Sequence, residues 1–189
     1  MGAGRRRPDS GTSKAAWVAP DRAGNADGAV AFNGTDSALV YTLPFFPQQV
    51  YTLSAWVYPE DLSRDLQQIA SAWCRSMDDP LRLCIDHGAL AAQIEAGNSY
   101  STQSIPLEPG RWYHVAMVKD GARLVLYLDG EPVGHTTVPV IVHSSATDLG
   151  IGFNPHYSGG ERFQGRIDDL HFWARAATAD EIKELAAEK

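Results

Sequence analysis

The amino-acid sequence predicts an all-β domain of antiparallel strands that ends in one short helix. Short runs of β-branched, aromatic and Leu residues alternate with Gly, Pro, Asn and Asp, which is the pattern of strands joined by turns. About a dozen runs follow one another without intervening helices, so antiparallel pairing is expected, because parallel strands need long crossovers. No repeat of fixed period is visible, which argues against a propeller or a solenoid. The predicted strands cover 29–32, 38–41, 50–58, 67–73, 81–86, 89–95, 100–105, 112–119, 122–128, 131–137, 148–152 and 163–173.

The middle of the chain predicts a strand register. Asp120-Gly121 and Asp129-Gly130 each predict a two-residue turn, because Gly tolerates the positive φ that such turns require. Together they predict a meander of three strands. With Lys119 paired to Ala122, the first hairpin forms three apolar cross-strand pairs: Met117 with Leu124, Val115 with Leu126 and Tyr113 with Leu128. This continuous apolar face is expected to be core, whereas the opposite face of the hairpin is mixed.

The C-terminal segment changes from strand to helix periodicity. Thr178 and Glu181 have the spacing of a capping box, in which each side chain bonds the backbone amide of the other residue. Ile182 and Leu185 then give a short helix a narrow apolar stripe. This helix is expected to pack against the strands and to have no chemical role.

Five segments carry a family resemblance. RWYHVAMVKDG at 111–121, followed by LVLYLDG at 124–130, resembles the central signature of laminin-G-like (LamG) domains, which are concanavalin A-like jelly rolls. AFNGTDSALV at 31–40 is similar to the opening strand pair of that family, and YTLSAWVYP at 51–59 to its next long strand. FQGRIDDLHFW at 163–173, with the capped helix behind it, is similar to the closing strand. The match extends from about Gly28 to the C-terminus.

The resemblance implies an all-β, antiparallel two-sheet jelly-roll sandwich with a short C-terminal helix, whose first and last strands lie side by side. We expect a single domain at 17–189, and a disordered tail or processing remnant at 1–16, which is rich in Gly, Ser and Arg. Because a family fold does not by itself give an activity, the site has to be argued separately.

Charge and hydropathy exclude several classes of partner. The formal net charge is −7, and Arg5–Arg7 lie in the predicted tail, so the body is more acidic still and would repel phosphate backbones. We therefore expect no nucleic-acid partner. The longest apolar runs are too short for a membrane span, and Met1–Ala16 lacks the apolar core of a signal peptide. We expect the domain to be secreted or displayed at a cell surface as part of a larger protein.

The two cysteines leave two alternatives open. Cys74 and Cys84 flank a predicted turn between two apolar segments, where a disulfide across the hairpin is one alternative. A tight turn would instead put Ser71 opposite Cys84, and two small buried hydrophobic side chains are then the other alternative.

Catalysis is not expected. Glycosidases that resemble this fold carry Glu-x-Asp-x-x-Glu, or a near variant, along one strand, so that alternate carboxylates face one cleft. The sequence contains no such array, and no His-Glu-x-x-His, Gly-x-Ser-x-Gly or P-loop motif. Asp168 and Asp169 are adjacent and are predicted to face opposite sides of their strand.

A calcium ion is the cofactor that the resemblance implies, near the junction of the first and last strands. Calcium binds several oxygen ligands at once, from carboxylates, amides and carbonyls. The predicted ligands are Asn33, Asp36 and Asp168. The alternative is that Asn33-Gly34 is a hairpin turn and that Asp168 bonds neighbouring backbone.

Carbohydrate binding needs aromatic faces beside polar groups, because a sugar ring presents apolar C–H groups and a rim of hydroxyls. Trp56, Trp112 and Trp173 lie within apolar strands and are expected in the core, whereas Trp73 ends a strand beside a polar loop. Two further loops combine Gly, polar and aromatic residues, and loops so placed often bind ligands. The candidate ligand-binding residues are Trp73, Asn98, Tyr100, His156, Tyr157 and Arg162.

These observations predict a non-catalytic recognition module for a glycan, with a structural calcium ion. The first alternative is a protein-interaction or structural domain of a larger extracellular or cell-surface protein. The second is a hydrolase that acts on glycosides with a site of unfamiliar design, which would need two carboxylates roughly 5–10 Å apart in an open cleft.

Overall fold

The structure is a computed structural model that describes residues 12–14 and 16–188. The strands of the first half are β1 Thr12–Lys14, β2 Trp17–Ala19, β3 Ala29–Asn33, β4 Ala38–Thr42, β5 Val50–Pro59, β6 Leu66–Ser71, β7 Asp78–Asp86 and β8 Ala89–Ala96. The second half contains β9 Ser99–Ser101, β10 Ile105–Pro106, β11 Tyr113–Asp120, β12 Arg123–Leu128, β13 Glu131–Thr137, β14 Asp148–Ile151, β15 Gln164–Trp173 and helix α1 Ala179–Ala187.

The strands form two antiparallel sheets, which confirms the predicted sandwich. Sheet A has eight strands in the order β1-β4-β14-β6-β7-β8-β10, with β9 also paired to β8. Sheet B has seven strands in the order β13-β12-β11-β5-β15-β3-β2. The closing strand β15 lies between β5 and β3, so the early and the last strands are neighbours, as the resemblance implies.

The N-terminal segment contributes one edge strand to each sheet. Strand β1 pairs with β4 at the edge of sheet A, and β2 pairs with β3 at the edge of sheet B. Strand β1 belongs to the segment that the sequence analysis assigned to a tail. Residues 1–11 and 15 of that segment lie outside the described residues.

The central meander has the predicted faces but a different first turn. Asp120 pairs with Arg123, so the turn residues are Gly121 and Ala122 rather than Asp120 and Gly121. Gly121 has a φ of 54°, which suits the first position of such a turn. The observed apolar pairs are Met117 with Leu126 and Val115 with Leu128, and Lys119 pairs with Leu124. The predicted register is therefore wrong by two residues, and such a shift leaves every side chain on its predicted face.

The core lies between the sheets and is lined by alternate residues of each strand. Leu53, Met117 and Leu126 of sheet B and Leu83 and Ile94 of sheet A are fully buried within it. Burying a large aliphatic side chain contributes about 1.5–3 kcal/mol, so this region supplies most of the driving force for folding.

Helix α1 covers the mixed face of the meander. Ala116, Val118 and Tyr127 on that face form a second apolar cluster with Ile182, which is fully buried. The predicted capping box is present, with both Thr178 and Glu181 side chains bonded to the reciprocal backbone amides. The helix is held from sheet B as well, because Thr52 Oγ1 donates to the Arg175 carbonyl at 2.8 Å.

One buried lysine ties together three loops at one end of the sandwich. Lys119 is fully buried, and its ammonium group donates to the carbonyls of Gln49 at 2.9 Å, Gly121 at 2.8 Å and Val140 at 2.9 Å. Loss of water around the ammonium lowers the pKa of Lys119.

The cysteines are both free, and the residues described include both of them. Cys84 is buried in β7, and its thiol contacts the Ala91 carbonyl at 3.7 Å. Cys74 lies in the β6–β7 turn, where its thiol contacts the Asp78 carbonyl at 3.4 Å. Of the two alternatives from the sequence, the structure shows two separate thiols.

Candidate binding site

Trp73 and Tyr157 form an aromatic pair on the surface. Trp73 follows β6, and Tyr157 belongs to the loop of residues 152–163 between β14 and β15. The two ring centroids are 5.5 Å apart and the rings meet at 64°, an edge-to-face contact. Tyr157 keeps 42% of its surface exposed. Two of the predicted ligand-binding residues, far apart in sequence, are thus brought together.

The ends of the 152–163 loop are fixed by backbone geometry. Gly152 has a φ of 77°, and a Cβ atom there would lie 2.2 Å from the ring of Phe32, so no other residue fits. The Gly152 amide donates to the Ile69 carbonyl at 2.9 Å, and the Phe163 amide donates to the Gly152 carbonyl at 3.0 Å. The loop is therefore closed on itself where it leaves the sheet.

The loop is attached to the outer surface of sheet A by polar side chains. Glu161 Oε2 accepts hydrogen bonds from Gln68 Nε2 at 2.9 Å and from Asn154 Nδ2 at 3.0 Å. Ser71 Oγ donates to Asn154 Oδ1 at 2.9 Å. Gln68, Ser71 and Asn154 are buried, so these bonds form away from water, where an unpaired group is costly.

Asp79 extends this network to the neighbouring strands. It is fully buried and accepts bonds from Ser71 Oγ at 3.1 Å, from the Ala72 amide at 3.2 Å and from Arg82 Nε at 3.0 Å. Arg82 Nη1 also lies 3.5 Å from Glu95. Burial raises the pKa of Asp79 to about 7, although the Arg82 guanidinium opposes this shift. These residues support the loop from beneath and are not themselves open to a ligand.

His156 and Arg162, also predicted ligand-binding residues, have partners within the fold. His156 is exposed and its Nε2 lies 2.8 Å from Asp148 Oδ2. The Arg162 guanidinium lies over the Phe153 ring at 5.3 Å and points towards the Ser37 carbonyl at 3.4 Å. His156 is therefore next to the aromatic pair because it precedes Tyr157 in the chain, whereas the Arg162 guanidinium points towards Phe153 and Ser37.

Asn98 and Tyr100 lie in the β8–β9 hairpin at the same end of sheet A. The hairpin is joined to the turn after Trp73 by one bond, from the Gly97 amide to the Met77 carbonyl at 3.0 Å. Asn98 is exposed, whereas Tyr100 is half-buried and packs against the core. Asn98 therefore lies in the hairpin next to the turn that follows Trp73, and Tyr100 anchors this hairpin to the core.

The three predicted calcium ligands do not form one donor set. Asn33 Oδ1 accepts backbone amides from Thr35, Asp36 and Ser37 at 2.9, 3.1 and 3.2 Å, and Asn33 Nδ2 donates to Asp36 at 2.7 Å. A guanidinium also lies at this turn, because Arg64 Nη1 donates to the Gly34 carbonyl at 2.9 Å. These residues form a hairpin turn in which Asn33 Oδ1 and Asp36 Oδ1 already accept hydrogen bonds.

Asp168 lies away from that turn. On β15, Gln164 pairs with Asn33, and Asp168 comes after Ile167, which pairs with Val30. Its Oδ2 accepts a hydrogen bond from Arg22 at 2.7 Å, and its Oδ1 accepts the Asp169 amide at 2.8 Å. Burial raises the pKa of Asp168, which disfavours the charge that calcium needs. The residues present therefore do not fit the ion as predicted.

Within residues 12–14 and 16–188, no group of three or more His, Cys, Asp or Glu side chains could hold a metal ion. Calcium binding stays a prediction from the resemblance. In the same part of the chain, no helix is long and apolar enough to cross a membrane.

The residues beneath the loop were missed from the sequence. Asp79 lies between the predicted strands 67–73 and 81–86, where the sequence predicts a turn, and no motif marks Arg82, Glu95 or Glu161. The sequence does contain one indication of this network. Arg82 lies between Leu81 and Leu83, which are buried in the core, so its side chain points to the outer face of sheet A. Polar residues at outward positions of adjacent strands indicate a face that something covers, but the covering loop is distant in sequence.

The two antiparallel sheets and the short C-terminal helix define a concanavalin-type β-sandwich, and the aromatic pair lies at one end of sheet A. Residues 32–183 match the Laminin_G_3 family model, described as the concanavalin A-like lectin/glucanases superfamily. The chain belongs to this family. A search among curated proteins finds no match.

Solved structures share the fold at low sequence identity. The native heptameric SAP-like pentraxin from Limulus polyphemus is 22% identical, with a TM-score of 0.69, and the match covers 84% of this chain and 81% of that one. Domain 4 of AbnA, a GH43 extracellular arabinanase from Geobacillus stearothermophilus solved with arabinotriose, is 22% identical, with a TM-score of 0.70, covering 93% and 87%. The botulinum neurotoxin serotype D binding domain is 10% identical, with a TM-score of 0.72, covering 94% of this chain but only 46% of that domain.

Proposed function

We propose that this domain is a non-catalytic carbohydrate-recognition module that binds a sugar ring at the Trp73–Tyr157 pair. The observation that carries the proposal is the contact between these two rings, which are supplied by separate loops and keep Tyr157 partly exposed. A sugar ring packs its C–H face on such a ring, and its hydroxyls need polar partners nearby. His156, next to Tyr157 in the chain, and Asn98, in the hairpin bonded to the turn after Trp73, are exposed polar residues of the kind required.

The preformed geometry of the loop supports this proposal. The 152–163 loop is fastened at Gly152, Asn154 and Glu161, so Tyr157 is held in place before a ligand arrives. Less order then has to be gained on binding, and the affinity is higher for the same contacts.

The structural neighbours are consistent with a binding role. The AbnA domain was solved in complex with arabinotriose, and a botulinum neurotoxin type C relative is described as depending on two ganglioside molecules. Both ligands are sugars or carry sugars, and the two descriptions refer to an extracellular enzyme and to cell entry. We extend these roles to this domain as a secreted or cell-surface module.

A non-catalytic role is supported by the state of the carboxylates near the site. Asp79 is fully buried and paired with Arg82, and Glu161 Oε2 accepts hydrogen bonds from Gln68 and Asn154. Both carboxylates are thus bonded within the fold, whereas glycoside hydrolysis needs a pair of carboxyl groups that face the ligand.

The test is a glycan array that includes arabinotriose and ganglioside oligosaccharides, run with and without calcium. Tyr157→Ala and Trp73→Ala should each weaken binding about tenfold or more, because aromatic anchors dominate such contacts. Trp17→Ala, at an exposed Trp on sheet B, is the matched control and should bind as wild type does. The absence of binding to any glycan on the array, or wild-type binding by both site variants, contradicts the proposal. Release of sugar products would favour the hydrolase alternative.

A second candidate, protein interaction, is favoured by one surface. Phe45, Val140 and Ile141 are 70%, 54% and 40% exposed. Their two loops are joined by the bond from the Val142 amide to the Gln48 carbonyl at 2.9 Å. Exposed apolar surface of this kind marks interaction sites in many proteins. Phe45→Ser should abolish self-association or partner binding measured by sedimentation if this surface is used, and should leave the glycan array unchanged.

A further inference from the structure

Gly159 lies where the Tyr157 ring needs free space. A Cβ atom at residue 159 would lie 2.7 Å from Cζ and 2.9 Å from the hydroxyl oxygen of Tyr157, and nearer still to Cε1. These distances are too short for non-bonded atoms, so any side chain at residue 159 requires the Tyr157 ring to move. In the structure that ring meets the Trp73 ring at 64°.

The backbone conformation does not itself require glycine at this position. Neither Gly159 nor the adjacent Gly160 has a positive φ, so alanine can adopt the same backbone conformation at both residues. At Gly160, no atom lies within 4 Å of the position that a Cβ would take. The two glycines therefore differ in one respect, because only Gly159 leaves room for Tyr157.

The loop backbone on both sides of Gly159 is held by hydrogen bonds. The Tyr157 amide donates to the Asn154 carbonyl at 3.4 Å, and the Arg162 amide donates to the Gly160 carbonyl at 2.8 Å. The Tyr157 side chain, in contrast, is 42% exposed and has solvent on one side. A Cβ atom at residue 159 would therefore displace the ring rather than the backbone.

The angle between the two rings determines what shape of ligand can lie on them. Ring planes at 64° form a corner, so a flat ligand that stacks on one ring meets the other at a steep angle. Stacking on the flat surface of a polysaccharide needs coplanar rings instead. Among the residues described, the Tyr157 hydroxyl and the Trp73 indole N–H have no hydrogen-bond partner, so both can bond the hydroxyl groups of a sugar.

We infer that Gly159 positions the Tyr157 ring against Trp73, and that the corner between these rings takes a single sugar ring of an oligosaccharide rather than the flat surface of a polysaccharide. The inference rests on the proposed carbohydrate site and names the form of its ligand. Gly159 is a positioning residue, because it acts through Tyr157, whose ring is held in place before the sugar arrives.

The position of the Tyr157 ring is measured without a sugar. The chain contains five Trp residues, and a proton–nitrogen NMR spectrum gives one indole N–H signal for each. An aromatic ring shifts the signals of nuclei beside it, so Tyr157→Ala should move the Trp73 signal, which Trp73→Phe assigns. Gly159→Ala should move this signal in the same direction, and Gly160→Ala should leave all the indole signals unchanged. A Trp73 signal that stays in place in Tyr157→Ala or in Gly159→Ala overturns the positioning role.

Binding is measured on the glycan array with arabinotriose and ganglioside oligosaccharides. Gly159→Ala should weaken binding about tenfold, and it should add no further loss in the Tyr157→Ala background, because residues that act through one contact are not additive. Gly160→Ala should bind as wild type does. Equal losses in both backgrounds overturn the positioning role. If the wild type binds no glycan, the proposed function and the form of the ligand both fail, and the NMR spectra still decide the role of Gly159.

The form of the ligand is tested with microcrystalline cellulose and chitin, which present flat polysaccharide surfaces. The protein should stay in solution when it is mixed with either solid and the solid is spun down. Retention that is lost in Tyr157→Ala overturns the single-ring ligand, because the same ring would then stack on a flat surface.

Thermal unfolding covers the case in which Gly159→Ala is unstable. Any fall in melting temperature that Gly159→Ala causes in the wild type should disappear when the same change is made in Tyr157→Ala, because the ring that the new Cβ displaces is gone. A fall of the same size in both backgrounds overturns the inference.

Discussion

Glu161 Oε2 lies 2.9 Å from the side-chain nitrogen of Gln68 and accepts its hydrogen bond, which fastens the 152–163 loop to strand β6. The same oxygen accepts the Asn154 side chain at 3.0 Å, so one atom holds the loop both to the sheet and to itself. Glu161 does not touch Tyr157, but it fastens the loop that carries Tyr157, so the position of the Tyr157 ring depends on this carboxylate.

Glu161→Ala is expected to destabilise the protein by about 2 kcal/mol, because it leaves the Gln68 and Asn154 amides without their acceptor in a partly buried site. Urea denaturation measures the loss. Glu184→Ala, at an exposed position of helix α1, is the matched control and should change stability by less than about 0.5 kcal/mol. Equal stability of the two variants would show that the bonds of Glu161 do not hold the loop.

The Asp79 carboxyl is expected to make stability depend on pH. Its pKa is raised from 3.8 to about 7 in the folded protein, so the folded state binds a proton there more tightly than the unfolded chain does. The resulting stabilisation is fully present below about pH 4 and is lost as the pH rises towards 7. Its upper bound is on the order of 4 kcal/mol, since each unit of pKa is worth about 1.4 kcal/mol.

Asp79→Asn is the test, because the amide is neutral at every pH. Between pH 4 and 7 the unfolding free energy of this variant should vary less than that of wild type, as measured by denaturant titrations at a series of pH values. Arg82 pairs with Asp79 and also contacts Glu95, which lies opposite Asp79 across the strand pair, so Glu95→Gln serves as the control for the second carboxylate. Identical pH profiles for wild type and Asp79→Asn would mean that Arg82 keeps Asp79 ionised throughout.

The fold was more accessible from the sequence than the site was. Alternation of apolar and polar residues fixed which face of the meander is buried, and Met117 and Leu126 are in the core as predicted. The register was missed because Asp120-Gly121 and Gly121-Ala122 are both acceptable turns, and local sequence does not choose between them. The choice depends on how β11 pairs with β5, a contact made at long range.

The candidate site is partly predictable for a related reason. Trp73 ends a strand beside a polar loop and Tyr157 lies in a loop that combines Gly, polar and aromatic residues, and the structure brings the two rings into contact. Asp168 was placed near Asn33 because both belong to neighbouring strands, but the register of β15 against β3 separates them. The buried network under the loop could not be predicted, since Asp79 is buried only when the distant 152–163 loop folds over sheet A.

Lys119→Met is expected to cost about 3 kcal/mol, because it leaves the carbonyls of Gln49, Gly121 and Val140 without their shared donor in a buried site. Chemical denaturation checks the value. Lys183→Met removes a lysine whose ion pair with Glu131 is exposed, and it should cost less than about 1 kcal/mol. If the two variants lose the same free energy of unfolding, the prediction is wrong, and water molecules donate to the three carbonyls in place of the ammonium.

The two cysteines should behave as separate and poorly reactive thiols. Burial raises the pKa of both Cys74 and Cys84, so little thiolate is present at neutral pH. Iodoacetamide should modify Cys74 slowly and leave Cys84 unmodified in the native protein, whereas both should react after unfolding, as mass spectrometry will record. A melting temperature that falls on adding reductant would contradict the free thiols.

The 152–163 loop leaves β14 of sheet A and enters β15 of sheet B at nearly the same point, because the Phe163 amide is bonded to the Gly152 carbonyl at 3.0 Å. A segment of different length or composition can therefore be grafted between these two residues without displacing β14 or β15, since loop-closure entropy changes only slowly with length. The domain can therefore serve as a scaffold from which loop variants are selected for binding. Libraries randomised at residues 155–160, with Asn154 and Glu161 retained to fasten the loop, should yield binders of new specificity from an unaltered framework.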